Sequence, residues 1–228
     1  RRQFMMKKPA RYIITGVDVT GVSTPVLARV KCENNSGSFE NILPIEEKES
    51  YKWIESSLKS KEALSQAKEI IVIQDREGDI YEQFCLVPDS KTHLLIRAKT
   101  NRILENKTKL FEHLSSQEAQ GSYTIELEAD KRRNTKKRTA RIEVRFSEIT
   151  IGKHQYSGKH LPEKINLYAI EAKEVGTNKE NPILWRLLTT KKVEDLQTAL
   201  LCIEWYTCRW IIEEVFRILK KERFNIEA

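Results

Sequence analysis

Five polar or ionisable side chains near the C-terminus are spaced for one face of a helix. Taking Tyr206 to Lys221 as a helix and advancing about 100° per residue puts Tyr206, Arg209, Glu213, Arg217 and Lys220 within about 80° of arc. Ile211, Ile212, Val215, Ile218 and Leu219 fall on the other side of the wheel, so the helix is two-faced and its apolar face has to pack on something. Such a polar face has two uses. It is a solvated surface held by i,i+4 pairs such as Arg209–Glu213. Alternatively, the carboxylate holds a divalent metal while the cations hold phosphates, which is equipment for phosphoryl transfer on DNA or RNA.

A second carboxylate stands where α/β sheets bind ligands. Asp75 closes the apolar run Ile70–Gln74 and opens Arg76-Glu77-Gly78-Asp79-Ile80. The carboxyl end of a buried strand is the usual ligand-binding edge of an α/β sheet, and hard cations take one or two carboxylates plus substrate phosphates. Asp75 or Asp79 equally suits a helix cap, accepting backbone N–H groups of the next helix.

The elements that position these groups are readable in outline. Residues 12–30 contain short β-prone runs broken by Gly16, Gly21 and Pro25, a hairpin pattern, and 33–38 is a polar turn. Residues 46–59 and 60–69 are helical in composition. The runs at 70–73 and 93–96 read as covered strands, with a short helix over 81–86 between them. Residues 46–99 thus alternate α-β-α-β. From about residue 101 the texture changes. Tyr123, Ile125 and Leu127 alternate with polar residues, as do Ala140, Ile142, Val144 and Phe146, and further alternating runs begin at Ile165 and Ile183. These are antiparallel strands with one polar face. After Lys191 the pattern is helical to the end. Between two of the alternating strands lies a basic block containing Lys131, Arg132, Arg133, Lys136, Lys137 and Arg138, either a solvated hairpin tip or a phosphate contact.

Composition sets the outer limits. The 228 residues carry 39% hydrophobic and 32% charged side chains, enough apolar content for a core and too much for a disordered tail. Eight glycines and six prolines exclude collagen-like and low-complexity classes. No aliphatic run approaches the roughly 18 residues a membrane span needs. The four cysteines, Cys32, Cys85, Cys202 and Cys208, lack metal-ligand spacing and form no disulfide framework. The basic start lacks an apolar signal core, which leads to the expectation of a reducing, cytoplasmic setting. The net charge of +7 points weakly to a polyanionic partner. Arg1 at the start and the helical texture of the last stretch suggest a piece of a longer protein.

The order Tyr206-x2-Arg209-x3-Glu213-x6-Lys220 resembles the Y-R-E-K signature of bacterial cut-and-paste DDE transposases of the insertion-sequence-four group. Asp75-Arg76-Glu77-Gly78-Asp79-Ile80 resembles the segment with that family's second catalytic Asp. Glu47-Lys48-Glu49-Ser50-x-Lys52-Trp53 and Leu184-Trp185-x-Leu187-Leu188-Thr189 resemble family segments upstream of that Asp and just before the signature helix.

The resemblance implies a ribonuclease-H-like α/β core interrupted by a β-rich antiparallel insertion. The first part of the core would span 1–100, the insertion 101–185, and the second part 186–228. It implies that Asp75 and Glu213 are catalytic metal ligands in a two-metal Mg2+ or Mn2+ site. It assigns phosphate contacts to Tyr206, Arg209 and Lys220, with Arg217 where the family often has Lys. Arg97 and Lys99 match positions near the active site. Trp185 matches a residue that stacks on a flipped-out base, with a core aromatic in a strand as the alternative. The implied partners are double-stranded DNA, as terminal inverted repeats and target, and a second copy of the protein. The implied setting is the bacterial nucleoid. The family's first Asp has no match here, because Asp18 falls in a stretch resembling the strand after the catalytic one. The expectation is therefore a first Asp upstream of Arg1 and an inactive fragment. The alternative is a truncated, catalytically dead remnant that binds DNA without cleaving it.

Overall fold

The computed structural model of the chain describes residues 45–127, 137–154, 157–158, 160–176, 182–209 and 211. The hairpin expected over 12–30 and the turn at 33–38 lie outside them. The apolar run at 70–73 forms β1 (Ile70–Gln74), buried along its whole length. β2 (Thr92–Arg97) lies parallel to it, with Ile70 opposite Thr92 and Gln74 opposite Ile96. Parallel neighbours need a crossover. Here it contains a 3-10 turn (Arg76–Gly78) and a short helix over 81–86. Ahead of β1 the two helical stretches expected over 46–69 are one helix, α1 (Tyr51–Ala63), preceded by a 3-10 turn (Ile45–Glu47). The chain leaves the helix at Leu64 and enters β1 through turns closed by Ser65 N–H on Glu62 C=O and Ala67 N–H on Leu64 C=O. The short helix of the crossover is α2 (Tyr81–Leu86).

The segment from 101 onward contains a helix that its alternating texture does not announce, α3 (Leu110–Ser116). Its two buried apolar residues, Leu110 and Leu114, are one turn apart, too short a stretch to display a helical period. Then come β3 (Gly121–Leu127), β4 (Arg138–Gly152), β5 (Lys164–Val175), β6 (Leu184–Thr189) and α4 (Leu196–Thr207). All six described strands form one sheet in the order β1-β2-β6-β5-β4-β3, antiparallel everywhere except β1–β2. The strands expected in a β-rich insertion continue the sheet of β1 and β2 through β6.

Side-chain alternation divides the core between the two faces of this mixed α/β sheet. Ile70, Val72, Leu94 and Ile96 point to α1, α2 and α3, where Ile54, Phe84, Leu110 and Leu114 meet them. Ile71, Ile73, Leu95 and Leu187 point the other way, to Ala199, Cys202, Ile203 and Trp205 of α4. Strands covered on both faces have no room for a polar side, which explains the unbroken aliphatic runs of β1 and β2. Truncating a residue such as Ile71 in this core to Ala costs about 2–5 kcal/mol.

The helix expected to run from Tyr206 to Lys221 is corrected at its start. Tyr206 belongs to the last turn of α4, which begins at an Asp195 cap whose side chain accepts from Thr198 N–H at 2.7 Å. The helix ends at Thr207. The Thr207 hydroxyl donates to Glu204 C=O at 2.6 Å, a local side-chain bond that competes with the helical ladder. Cys208 and Arg209 N–H groups turn instead to the carbonyls of Trp205 and Tyr206, three residues back, the tighter 3-10 pattern. Ile211, expected on the apolar packing face, is 56% exposed.

Candidate active site

The register of the sheet brings four distant pieces of chain to one edge. Asp75 follows the last residue of β1, and Arg97 is the last residue of the parallel β2. β6 runs the other way, with Leu187 opposite Arg97, so Trp185 near its start belongs to the same edge. The end of α4 brings Tyr206 and Arg209 over that edge.

These residues converge on the Asp75 carboxylate. The Tyr206 hydroxyl donates to Oδ1 at 3.2 Å. The Arg209 guanidinium stands 3.6 Å from Oδ2, an ion-pair distance. Arg76 N–H also donates to Oδ1, at 2.9 Å, so Asp75 does cap the 3-10 turn that follows it. The capping role and the site location coexist, because the carboxylate keeps 37% of its surface open to solvent.

Tyr206 is only 1% exposed, a correction to its expected place on a solvent-facing polar stripe. Its ring packs edge-on against Trp185, centroids 5.7 Å apart, and its polar tip reaches Asp75, the usual arrangement for a buried phenol. Burial pushes the phenol pKa up, the Asp75 charge adds to this, and Arg209 and Arg97 oppose it. The hydroxyl is therefore a protonated donor at neutral pH. Trp185 is half-buried. Arg97 reaches toward Leu184 C=O at 3.5 Å. Lys99 is exposed, and its backbone N–H is engaged by Asp79.

Asp79, four residues from Asp75, has a different job. Its side chain is fully buried, pairs with Arg102, and accepts from the N–H groups of Lys99 at 2.8 Å and Thr100 at 3.1 Å. It does not cap α2, whose preceding residue is Ile80 without a side-chain cap. It ties the turn after β1 to the chain after β2. Sequence reading misses this because a long-range backbone clamp has no local spacing signal.

Two further buried carboxylates are also structural. Glu171 on β5 bonds Arg186 at 2.8 Å and lies 3.8 Å from Arg145, both opposite it on neighbouring strands. Glu174 accepts from Arg138 Nη2 at 2.9 Å and from Ile183 N–H at 3.0 Å. Arg138, expected among the DNA-contacting cations, is thus committed to the sheet. Lys137 lies 3.4 Å from Glu126, with both side chains exposed. Lys131, Arg132, Arg133 and Lys136 lie outside the described residues, as do Glu213, Arg217 and Lys220. The ends of β3 and β4 that flank the basic connector, Leu127 opposite Arg138, belong to the Asp75 edge: Arg138 reaches Glu174, beside the start of β6.

Asp75 suits a hard cation: a half-open carboxylate at a strand end, with neighbours able to hold phosphate. Among the described residues no group of three or more His, Cys, Asp or Glu is placed to hold a metal. No described helix is long and apolar enough to cross a membrane. Residues 59–228 match the family model described as "Transposase DDE domain".

Proposed function

The chain belongs to the transposase DDE domain family, and from that premise we propose that it carries the catalytic core for metal-dependent hydrolysis and strand transfer of DNA at transposon ends. The observation that carries this reading is the convergence of Tyr206 and Arg209 on Asp75 at the carboxyl edge of the sheet. Two of the Y-R-E-K positions meet the proposed catalytic Asp, although 131 residues separate Tyr206 from Asp75. The reading places the protein in the insertion-sequence-four group, with a ribonuclease-H-like core in residues 1–100 and 186–228 and an insertion in 101–185. The insertion would share the core's sheet, since β6 joins β2 to β5.

Asp75 and Glu213 would hold the metals. Held there, Mg2+ or Mn2+ would supply activation of a water or 3′-hydroxyl nucleophile and stabilisation of the leaving oxygen. Tyr206 fixes the orientation of Asp75 through its buried hydroxyl, a role that fits its burial better than direct phosphate contact. Arg209, an ion-pair distance from Asp75, would also hold a DNA phosphate, joined by Arg217 and Lys220. Arg97 and Lys99 line the same edge. Trp185 would stack on a base lifted from the duplex. The basic connector after β3 would extend the contact along the backbone. The partners proposed are terminal inverted repeats, target DNA and a second copy of the protein, at the nucleoid.

The test is direct. The intact protein, incubated with a duplex carrying the element's terminal repeat, should nick it with Mg2+ or Mn2+ and not with chelator. Binding of that duplex without metal-dependent cleavage would favour the DNA-binding remnant instead.

A further inference from the structure

Behind Asp75, between α1, β1 and α2, lies a chain of buried polar side chains in an otherwise apolar layer. Gln83, on α2, is completely buried, and its Nε2 donates to Gln74 Oε1. Gln74 is the last residue of β1, immediately before Asp75. Its own Nε2 donates to Ser57 Oγ at 3.0 Å and reaches Trp53 C=O at 3.4 Å. The Ser57 hydroxyl donates to Trp53 C=O at 2.7 Å.

This network is not what stability alone would select. Burying carboxamides costs free energy unless every polar atom is bonded, and Gln83 Oε1 is buried without a hydrogen-bond partner. An all-aliphatic layer, with neither Gln83 nor Gln74, would carry no such unmet polar atom. The amide chain does, however, hold the Gln74 side chain from both sides, and the turn after Asp75 rests on that side chain. A Cβ added to Gly78 would stand 2.1 Å from Gln74 Oε1 and 2.9 Å from Gln74 Cβ. Only glycine lets the turn settle there. Asp75 is therefore pinned between Gln74, fixed by Gln83 and Ser57, and a turn seated on Gln74.

We propose that Gln83 is a positioning residue, which through Gln74 and the turn at Gly78 sets where the Asp75 carboxylate sits for metal and substrate. This rests on the reading of Asp75 as a metal ligand. Groups that orient a ligand typically change metal affinity about 10–100-fold when removed, even though they never touch the metal.

The experiment uses the intact protein bound to its terminal-repeat duplex. Gln83→Met removes the amide while keeping bulk, and Gly78→Ala displaces the turn from the other side. Mn2+ binding is followed by electron paramagnetic resonance, alongside melting temperature, duplex affinity and the Mg2+ dependence of nicking. The expectation for Gln83→Met is a modestly lower melting temperature, because the buried Gln74 Oε1 loses its donor, with unchanged duplex affinity and about tenfold weaker Mn2+ binding with a parallel rise in the Mg2+ requirement. Gly78→Ala should shift the metal dependence in the same direction, and it decides the matter alone if Gln83→Met does not fold. A lower melting temperature with unchanged metal binding, or no change in either variant, overturns the proposal and leaves the network a packing feature. Asp75→Asn separates the two claims. If it binds Mn2+ and nicks like the parent, the reading of Asp75 itself fails. If it is inactive while both positioning variants bind Mn2+ normally, only the positioning role fails.

Discussion

The Tyr206 hydroxyl donates to Asp75 Oδ1 at 3.2 Å, joining the end of α4 to the end of β1. Removing that hydroxyl while keeping the ring separates orientation from packing. Tyr206→Phe should cost about 1 kcal/mol in stability, the net worth of one hydrogen bond. The Trp185 contact should survive, because it uses the ring. Cleavage should fall several-fold while duplex binding holds. Chemical denaturation and a nicking time course read both effects. Equal cleavage by parent and variant would deny Tyr206 any hold over Asp75.

The same phenol gives an alkaline signature. Its pKa is raised by burial and the Asp75 charge, so the folded state favours the neutral form. The stabilisation this gives is fully present below about pH 10, the unfolded value, and is lost as pH rises through the folded value. Tyr81 and Tyr123 follow the same sign, pushed up to about 12 chiefly by burial. Phenolate absorbance should show a late-titrating group that disappears in Tyr206→Phe. A Tyr206 that ionises near the ordinary value while the protein is still folded would contradict its burial against Asp75.

Two acids of one short motif should behave as opposites. Asp79→Ala leaves the Arg102 side chain and two backbone donors without their buried acceptor, and should cost about 3–5 kcal/mol. Asp75→Asn touches a half-open carboxylate and should leave stability nearly unchanged. Melting curves of the two variants side by side decide this. Equal destabilisation would make Asp75 another scaffold residue.

The basic block should divide in a similar way. Replacing Lys131, Arg132, Arg133 and Lys136 with Ser should weaken duplex binding and flatten its salt dependence by about 0.9 in log–log slope for each phosphate no longer neutralised. Arg138→Gln should lower stability instead, because Glu174 holds its guanidinium. An unchanged salt slope after the first set would make the block a solvated surface.

What is legible in the sequence follows from the range of the forces involved. β1 and β2 are readable because strands buried on both faces are aliphatic throughout, and α2 because it is punctuated on both sides. The end of α4 is not. A wheel drawn from Tyr206 assumes unbroken helix, and the change to bonds three residues back at Cys208 and Arg209 is a backbone event that no periodicity reveals. The residue types at the candidate site are legible, but the buried position of Tyr206 is not, because a phenol suits a polar stripe and a core equally well. The Asp79 clamp and the Gln83–Gln74–Ser57 network are invisible because their partners lie on different elements, from nine to more than twenty residues apart, at spacings no local period marks.

The central claim is that Asp75 and Glu213 act together as the carboxylates of a metal-dependent DNA-cutting site. The most direct measurement is nicking of a terminal-repeat duplex by the intact protein and by Asp75→Asn and Glu213→Gln, each checked for folding and duplex affinity. The account predicts that both variants fold and bind the duplex like the parent and yield no nicked product at any Mg2+ or Mn2+ concentration. Metal-dependent nicking by either variant at the parent rate would contradict it.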